Sequence, residues 1–369
     1  MSIKVAVSSN TCWSIYNFRL GLIKKLSEHY DVFIVAPKDK YSEEIEKLGF
    51  KFYDIKMDRK GKNPLVDFET LLEYYKIYKK IKPDIALHFT IKPNIYGNLV
   101  CKVLNIPTIN NITGLGHVFS NQTLLTKIVV SMYKVALKNS FVFFQNSEDR
   151  NMFLELGIVD NRSSDVLPGS GVNVEFFKAV NQKRKGERFT FLFIGRMLKE
   201  KGVKEYIKAA GIIKSKYKDV NFLLVGKVDE NDLEYVSLSE LAMWEKQGVV
   251  RYLGETDNPK DVIAKADCVV LPTYYKEGVP KVILESLSME KPVVTTDVPG
   301  CRDAVKNGVN GFLCKPKDVK DLTEKMEKMV NFTEDERRKM GKIGREIVKE
   351  KFNEDIVIRK YLNIIEKLT

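Results

Sequence analysis

The sequence predicts two parallel, doubly wound α/β domains in tandem. Short apolar runs of strand length alternate with helix-length segments along the whole chain. The alternation breaks at Asn181–Arg188, a polar stretch without periodicity, and then begins again. The 369 residues, 44% of them hydrophobic, suffice for two cores at ~150 residues per domain.

In the first half, Ile3–Ser8, Val32–Ala36, Ile85–Phe89 and Phe141–Asn146 are continuous apolar runs, as strands buried on both faces require. Helical patterns fill the intervals at Ser14–His29, Asp67–Lys80, Asn94–Leu104, Leu124–Lys138 and Glu148–Leu156. In the second half, Phe189–Ile194, Val220–Val225, Val249–Leu253, Cys268–Leu271 and Val293–Thr295 read as strands. Helices are expected at Val203–Tyr217, Leu233–Lys246, Val282–Met289 and Asp318–Met329. Two charged helices, Thr333–Lys351 and Glu354–Leu368, close the chain with a break at Phe352–Asn353. The expected domains are therefore 1–180 and 188–351, followed by a terminal helix within 352–369.

Lys and Arg number 61 against 49 Asp and Glu, a net charge of +12. The surplus is even: 24 basic against 18 acidic residues through position 180, and 37 against 31 beyond it. Such a balance argues against a dedicated basic tail. It fits a cytoplasmic protein that handles anions (nucleic acid, phosphorylated substrates or an acidic membrane surface), and equally a lysine-rich composition without function. No apolar run approaches the ~20 residues of a membrane span, and the first ten residues pattern as a strand rather than a signal peptide. Five scattered cysteines, at 12, 101, 268, 301 and 314, suggest neither a disulfide framework nor a zinc site.

Two motifs carry chemistry. Glu277-Gly278-Val279-Pro280 opens the helix containing Glu285, and Pro280 suits a first turn because its missing N–H would have no partner there. The free N–H groups of that turn make an anion site, with one carboxylate at its mouth and one a turn deeper. Phosphates need N–H donors and sugar hydroxyls need acceptors, so the pair suits a sugar nucleotide; a helix-dipole Glu followed by an exposed Glu would look the same. The second motif is Gly195-Arg196-Met197-Leu198-Lys199-Glu200-Lys201-Gly202, a βα loop directly after a buried strand. Ligands bind at that edge of doubly wound sheets, where an Arg fork and a Lys point charge can neutralise a diphosphate.

Together, Arg196 and Lys201 in a G-R-x-x-x-x-K-G setting and Glu277 and Glu285 as E-x(7)-E resemble the donor site of the family-4 retaining glycosyltransferases of GT-B fold. Matching pieces include Leu253-Gly254, Ala266–Pro272, Val298-Pro299-Gly300-Cys301 and Asn307–Leu313. The resemblance spans the chain and implies two Rossmann-like domains facing a central cleft, the first binding acceptor and the second donor, with the last helix crossing back to the first domain. Arg196 and Lys201 would hold the diphosphate, and Glu277, with N–H groups near Gly278 and Val279, would hold the donor sugar. Glu285 would accept from the ribose, and the backbone at Leu253 and Gly254 would read the base, uridine most often. His117, in Gly114-Leu115-Gly116-His117, matches the histidine that reaches the sugar near its reacting carbon; a structural loop histidine is the alternative.

One departure stands out. Relatives often carry Gly-Gly in the first βα loop, whereas Ser8–Arg19 here has none, so a phosphate contact there is lost or passes to side chains such as Ser14. The Tyr16-Asn17-Phe18-Arg19 run resembles enzymes that extend polyprenyl-diphosphate-linked saccharides, with N-acetylgalactosaminyltransferases of protein-glycosylation loci the most similar subgroup. The expected partners are a UDP-sugar, that lipid-linked acceptor and the inner membrane surface, with no cofactor, no metal and no nucleic acid. Leu124–Lys138, with Lys127, Lys134 and Lys138, could lie on that surface or be a core helix. Asp229-Glu230-Asn231-Asp232 superficially resembles an acidic metal motif and reads better as a solvated loop. A GT-B-fold epimerase and a basic nucleic-acid-binding protein are the competing readings; neither extra acid/base carboxylates nor a nucleic-acid motif is visible.

Overall fold

The computed structural model describes residues 2–58, 63–115, 119, 124–180, 188–275 and 278–369. The chain divides into two compact units, Met1–Ser170 with Glu354–Thr369, and Gly171–Asn353. Residues 171–180 therefore belong to the second unit, where Val172, Val174 and Phe177 enter its core and Ser288 Oγ donates to Phe177 O at 2.7 Å.

The first unit is a seven-stranded parallel sheet of β1 (Lys4–Ser8), β2 (Asp31–Ala36), β3 (Lys51–Asp54), β4 (Ile85–Phe89), β5 (Thr108–Ile112), β6 (Phe141–Phe144) and β7 (Ser164–Val166), ordered β3-β2-β1-β4-β5-β6-β7. Successive side chains of a strand face opposite sides. Val5 and Val7 accordingly join the core under α1 (Cys12–Ser27) and α2 (Ser42–Lys47), while Ala6 joins the core on the other face. That second face carries α3 (Pro64–Ile81), a π-helical turn Pro93–Gly97 running into α4 (Asn98–Val103), α5 (Leu124–Ala136) and α6 (Ser147–Glu155). The carboxy-terminal helix Glu354–Leu368 packs on α1, and Tyr361 OH accepts from Asn111 Nδ2 at 2.6 Å.

The second unit is a six-stranded parallel sheet of β8 (Phe189–Ile194), β9 (Val220–Val225), β10 (Arg251–Tyr252), β11 (Cys268–Leu271), β12 (Val293–Thr296) and β13 (Gly311–Cys314), ordered β10-β9-β8-β11-β12-β13. Its helices are α7 (Val203–Lys216), α8 (Leu238–Lys246), α9 (Pro259–Ala264), α10 (Lys281–Ser288), α11 (Cys301–Ala304), α12 (Val319–Asn331) and α13 (Glu334–Lys351). In both sheets the strand order reverses beside the first strand, between β1 and β4 and between β8 and β11. Loops diverge there and leave a crevice at the carboxyl edge.

The sequence reading missed β3, β5, β7, β13, α2, α9 and α11. The β5 segment contains Asn110 and Asn111 and lacks a strand's apolar signature, yet all five of its residues are buried. β13 begins with glycine, and β3 and β7 are short edge-side pieces. The helix expected from Leu233 begins at Leu238, because Ser237 caps it in a capping box with Glu240. Among the described residues, no helix is long and apolar enough to cross a membrane.

Candidate active site

The loop after β8 is tied on both sides. Met197 N donates to Lys227 O and Val236 N to Met197 O, at 2.9 and 2.7 Å, which ties it to the segment after β9. On the other flank, Tyr274 N donates to Glu200 O at 2.9 Å and Thr273 Oγ1 donates to the same carbonyl at 3.3 Å. A 3-10 turn, Lys199–Lys201, then passes into α7 through Gly202. Gly202 has φ +79°, and a Cβ there would stand 2.2 Å from Pro272 O. Only glycine satisfies both constraints, so the loops after β8 and β11 are held together at the switch point.

Arg196 and Lys201 meet over one ring. The Arg196 guanidinium lies 5.8 Å and the Lys201 ammonium 5.6 Å from the Tyr275 centroid, within cation–π range. Arg196 is exposed, whereas Lys201 is buried although charged. Two cations beside one ring at the carboxyl edge of the sheet have the charge to meet an anionic group. Tyr275 was not singled out from sequence, where an aromatic in the Pro272–Lys276 loop has no distinguishing pattern.

Glu285 is buried at 7% exposure, which removes the exposed-Glu alternative. Lys281 Nζ, one turn earlier, stands 4.0 Å from its Oε1, too long for a strong hydrogen bond. Burial raises the Glu285 carboxyl above its ordinary range, and Lys281 opposes the rise. Pro280 sits at the N-cap of α10 rather than in its first turn, and Gly278 and Val279 before it are buried. Leu253 N donates to Leu224 O, and Gly254 O accepts from Gly226 N, so these backbone groups are used by the sheet. Glu277 and His117 lie outside the described residues.

In the first unit, Ser14 stands in the opening turn of α1, where its N–H donates to Thr11 Oγ1 at 3.0 Å and Trp13 N–H donates to Asp39 Oδ2 at 2.9 Å. Those N–H groups are occupied, and the Asp39 carboxylate brings negative charge to the terminus. Nearby, at the β1/β4 reversal, Ser9 Oγ and Thr90 Oγ1 are buried without a hydrogen-bond partner, and Thr90 adopts φ +75°. A β-branched residue in that region costs roughly 1–3 kcal/mol, and such strain concentrates at functional sites. No sequence pattern announces it. Asp229 and Asp232 accept from the N–H groups of Asn231 and Glu234 in a turn, which accounts for them as loop-shaping residues.

Residues 174–347 match the model of the group 1 glycosyl transferases, and residues 4–147 match that of the glycosyl transferase 4-like domain. The chain is 30% identical, over 99% of both proteins, to the N,N'-diacetylbacillosaminyl-diphospho-undecaprenol alpha-1,3-N-acetylgalactosaminyltransferase of Campylobacter jejuni. The chain belongs to the family-4 glycosyltransferases of GT-B fold. A second relative of the glycosyltransferase is the Escherichia coli UDP-Gal:alpha-D-GlcNAc-diphosphoundecaprenol alpha-1,3-galactosyltransferase, 26% identical over 69% of this chain and 68% of that one. Among solved structures, Anabaena HepE in complex with UDP-glucose shares the fold at TM-score 0.81 and 16% identity, covering 99% of this chain and 100% of that one. A Rickettsia africae glycosyltransferase does so at TM-score 0.80 and 19% identity, covering 100% and 98%.

Proposed function

We propose that this glycosyltransferase moves a hexose or N-acetylhexosamine, N-acetylgalactosamine or N-acetylglucosamine first, from a UDP-sugar to a polyprenyl-diphosphate-linked saccharide. Transfer proceeds with retention of anomeric configuration, without a metal, at the inner face of the membrane during glycan assembly. The observation that carries this reading is the convergence of Arg196 and Lys201 over Tyr275 at the β8/β11 reversal. The acceptor class follows the Campylobacter relative, to which the chain is similar from end to end.

In this reading the second unit holds the donor. Arg196 and Lys201 neutralise the diphosphate, Glu285 accepts from the ribose, Glu277 and the N–H groups at Gly278 and Val279 hold the sugar, and His117 is the histidine assigned to the sugar near its reacting carbon. With Leu253 N and Gly254 O used by the sheet, the Leu253 carbonyl and the Gly254 N–H remain for the base. The acceptor hydroxyl attacks the anomeric carbon from the leaving-group side, the bond to the diphosphate breaks, and a donor phosphate oxygen takes the proton. Catalysis is positioning plus stabilisation of the charge developing on the diphosphate, which Arg196 and Lys201 supply without a divalent ion.

The test is turnover with a panel of UDP-sugars and a polyprenyl-diphosphate-linked acceptor, with the anomeric configuration of the product read by NMR. One UDP-sugar is expected to give an α-linked product in the presence of chelator. Inverted product would remove the retaining mechanism. Activity lost to chelator and restored by Mg²⁺ or Mn²⁺ would remove metal independence, and transfer confined to water-soluble acceptors would remove the lipid-linked acceptor.

A further inference from the structure

Helix α3 is apolar on two faces. Thr70, Tyr74, Ile77, Tyr78 and Ile81 are its buried side. On the opposite side, Leu65, Phe68, Leu72 and Tyr75 are 75%, 59%, 45% and 37% exposed. Their spacing of three, four and three residues puts them on one stripe about 15 Å long. Lys76, Lys79 and Lys80 continue the exposed side of the helix at its carboxyl end, and Lys79 Nζ lies 5.5 Å from the Tyr75 ring. Acidic charge on this helix is limited to Asp67, paired with Lys92 at 2.6 Å, to Glu73, paired with Lys76 at 3.4 Å, and to Glu69 on the flank.

The stripe belongs to a layer. α4 packs against both α3 and α5, and exposes Val103. α5 carries no acidic residue; it exposes Lys127 and Lys134 beside Ile128 and Val135, and Lys138 is exposed in the turn that follows it. Exposed apolar side chains with lysines at the end of the stripe and on the neighbouring helix α5 match the headgroup boundary of an anionic bilayer, which takes the apolar groups inward and meets the ammoniums with phosphate. A surface scattered with single apolar residues needs no partner, but a contiguous stripe does.

We propose that the outer face of α3, with the neighbouring faces of α4 and α5, is the surface by which this protein docks on an anionic membrane, the Leu65–Tyr75 stripe inserting and the lysines binding headgroup phosphate. The proposal rests on the lipid-linked acceptor reading and extends it. It moves the centre of docking from the α5 lysines alone to α3; the Arg59-Lys60-Gly61-Lys62 cluster lies outside the described residues.

The experiment is flotation of the full chain with vesicles of phosphatidylglycerol and phosphatidylethanolamine, or of phosphatidylcholine alone. Wild type is expected to float with the anionic vesicles at low salt and to be released at high salt. Leu65→Ser/Phe68→Ser/Leu72→Ser and, separately, Lys76→Glu/Lys79→Glu/Lys80→Glu are each expected to lower the bound fraction at least tenfold, with thermal melting and UDP binding unchanged. Flotation of the Ser variant equal to wild type overturns the proposal. So does a wild-type dimer in sedimentation that the Ser variant converts to monomer, because the stripe would then cover a second copy. A detergent assay with solubilised lipid-linked acceptor separates the two readings. Transfer there without vesicle binding sinks the docking surface alone, while vesicle binding without use of lipid-linked acceptor sinks the acceptor assignment alone.

Discussion

Gly300 packs against Gly278 so closely that a Cβ on Gly300 would stand 2.3 Å from the Gly278 carbonyl oxygen, and Gly300 itself has φ +78°. The contact fastens the loop after β12 to Gly278 and Val279, the segment that precedes α10 and that the proposed reading assigns to the donor sugar. Gly300→Ala is therefore expected to push that segment outward. Strain and clash together should cost roughly 1–3 kcal/mol of stability. Transfer should fall more than melting temperature implies, while UDP affinity, which the proposed reading rests on Glu285, Arg196 and Lys201, changes less. Melting curves, calorimetry with UDP and initial rates on one preparation check this; unchanged turnover would free the segment from the site.

The clamp prediction concerns Arg196 and Lys201. Each should act most strongly as charge develops on the leaving diphosphate, so Arg196→Ala and Lys201→Ala should each lower kcat by about 10²–10³. Lys201 is buried, so its variant also loses packing of the stem, and thermal melting must accompany the kinetics. Rates within threefold of wild type for both would remove the clamp assignment.

Glu285 supplies a pH signature. Burial places its folded carboxyl above the ordinary range, so on acidification it takes up a proton before an ordinary glutamate would. In the proposed reading, protonation removes the charged acceptor for the ribose hydroxyls. UDP affinity should therefore weaken as pH falls towards 5, and Glu285→Gln should flatten that dependence while costing about 1–3 kcal/mol of binding at neutral pH. Glu277→Ala should instead leave UDP binding intact and cripple transfer. Calorimetry between pH 5 and 8 decides, and an unaltered pH slope in the Gln variant would contradict the role.

His88 should govern part of the acid stability. It is buried in β4, its Nε2 lies 2.8 Å from Tyr78 OH, and burial lowers the imidazole from 6.5 to about 3. The unfolded chain binds this proton at higher pH than the folded chain does. The stabilisation is therefore complete above 6.5 and lost progressively as pH falls to about 3, by roughly 3–5 kcal/mol in all. Denaturant titrations of wild type and His88→Gln from pH 7 to 4 should differ in slope by nearly one proton; equal slopes would mean the imidazole is charged when folded.

What the sequence determined by itself was whatever lies within a short window. Phe189–Ile194 and Cys268–Leu271 are strands because five apolar residues of six, and four of four, suit a doubly covered parallel sheet. Gly195–Gly202 is legible as a ligand loop because glycines, an Arg and a Lys follow such a strand directly. Tertiary structure decided the rest. Thr108–Ile112 is a strand although polar, since Asn111 finds its partner in Tyr361, 250 residues away. Glu285 is buried rather than exposed, and Tyr275 receives both cations, because β8 and β11 are neighbours in the sheet and not in the chain. Periodicity shows that α3 has apolar faces but not which one the core takes; only packing on the sheet hides Tyr74 and Tyr78 and leaves Leu65 and Phe68 in solvent.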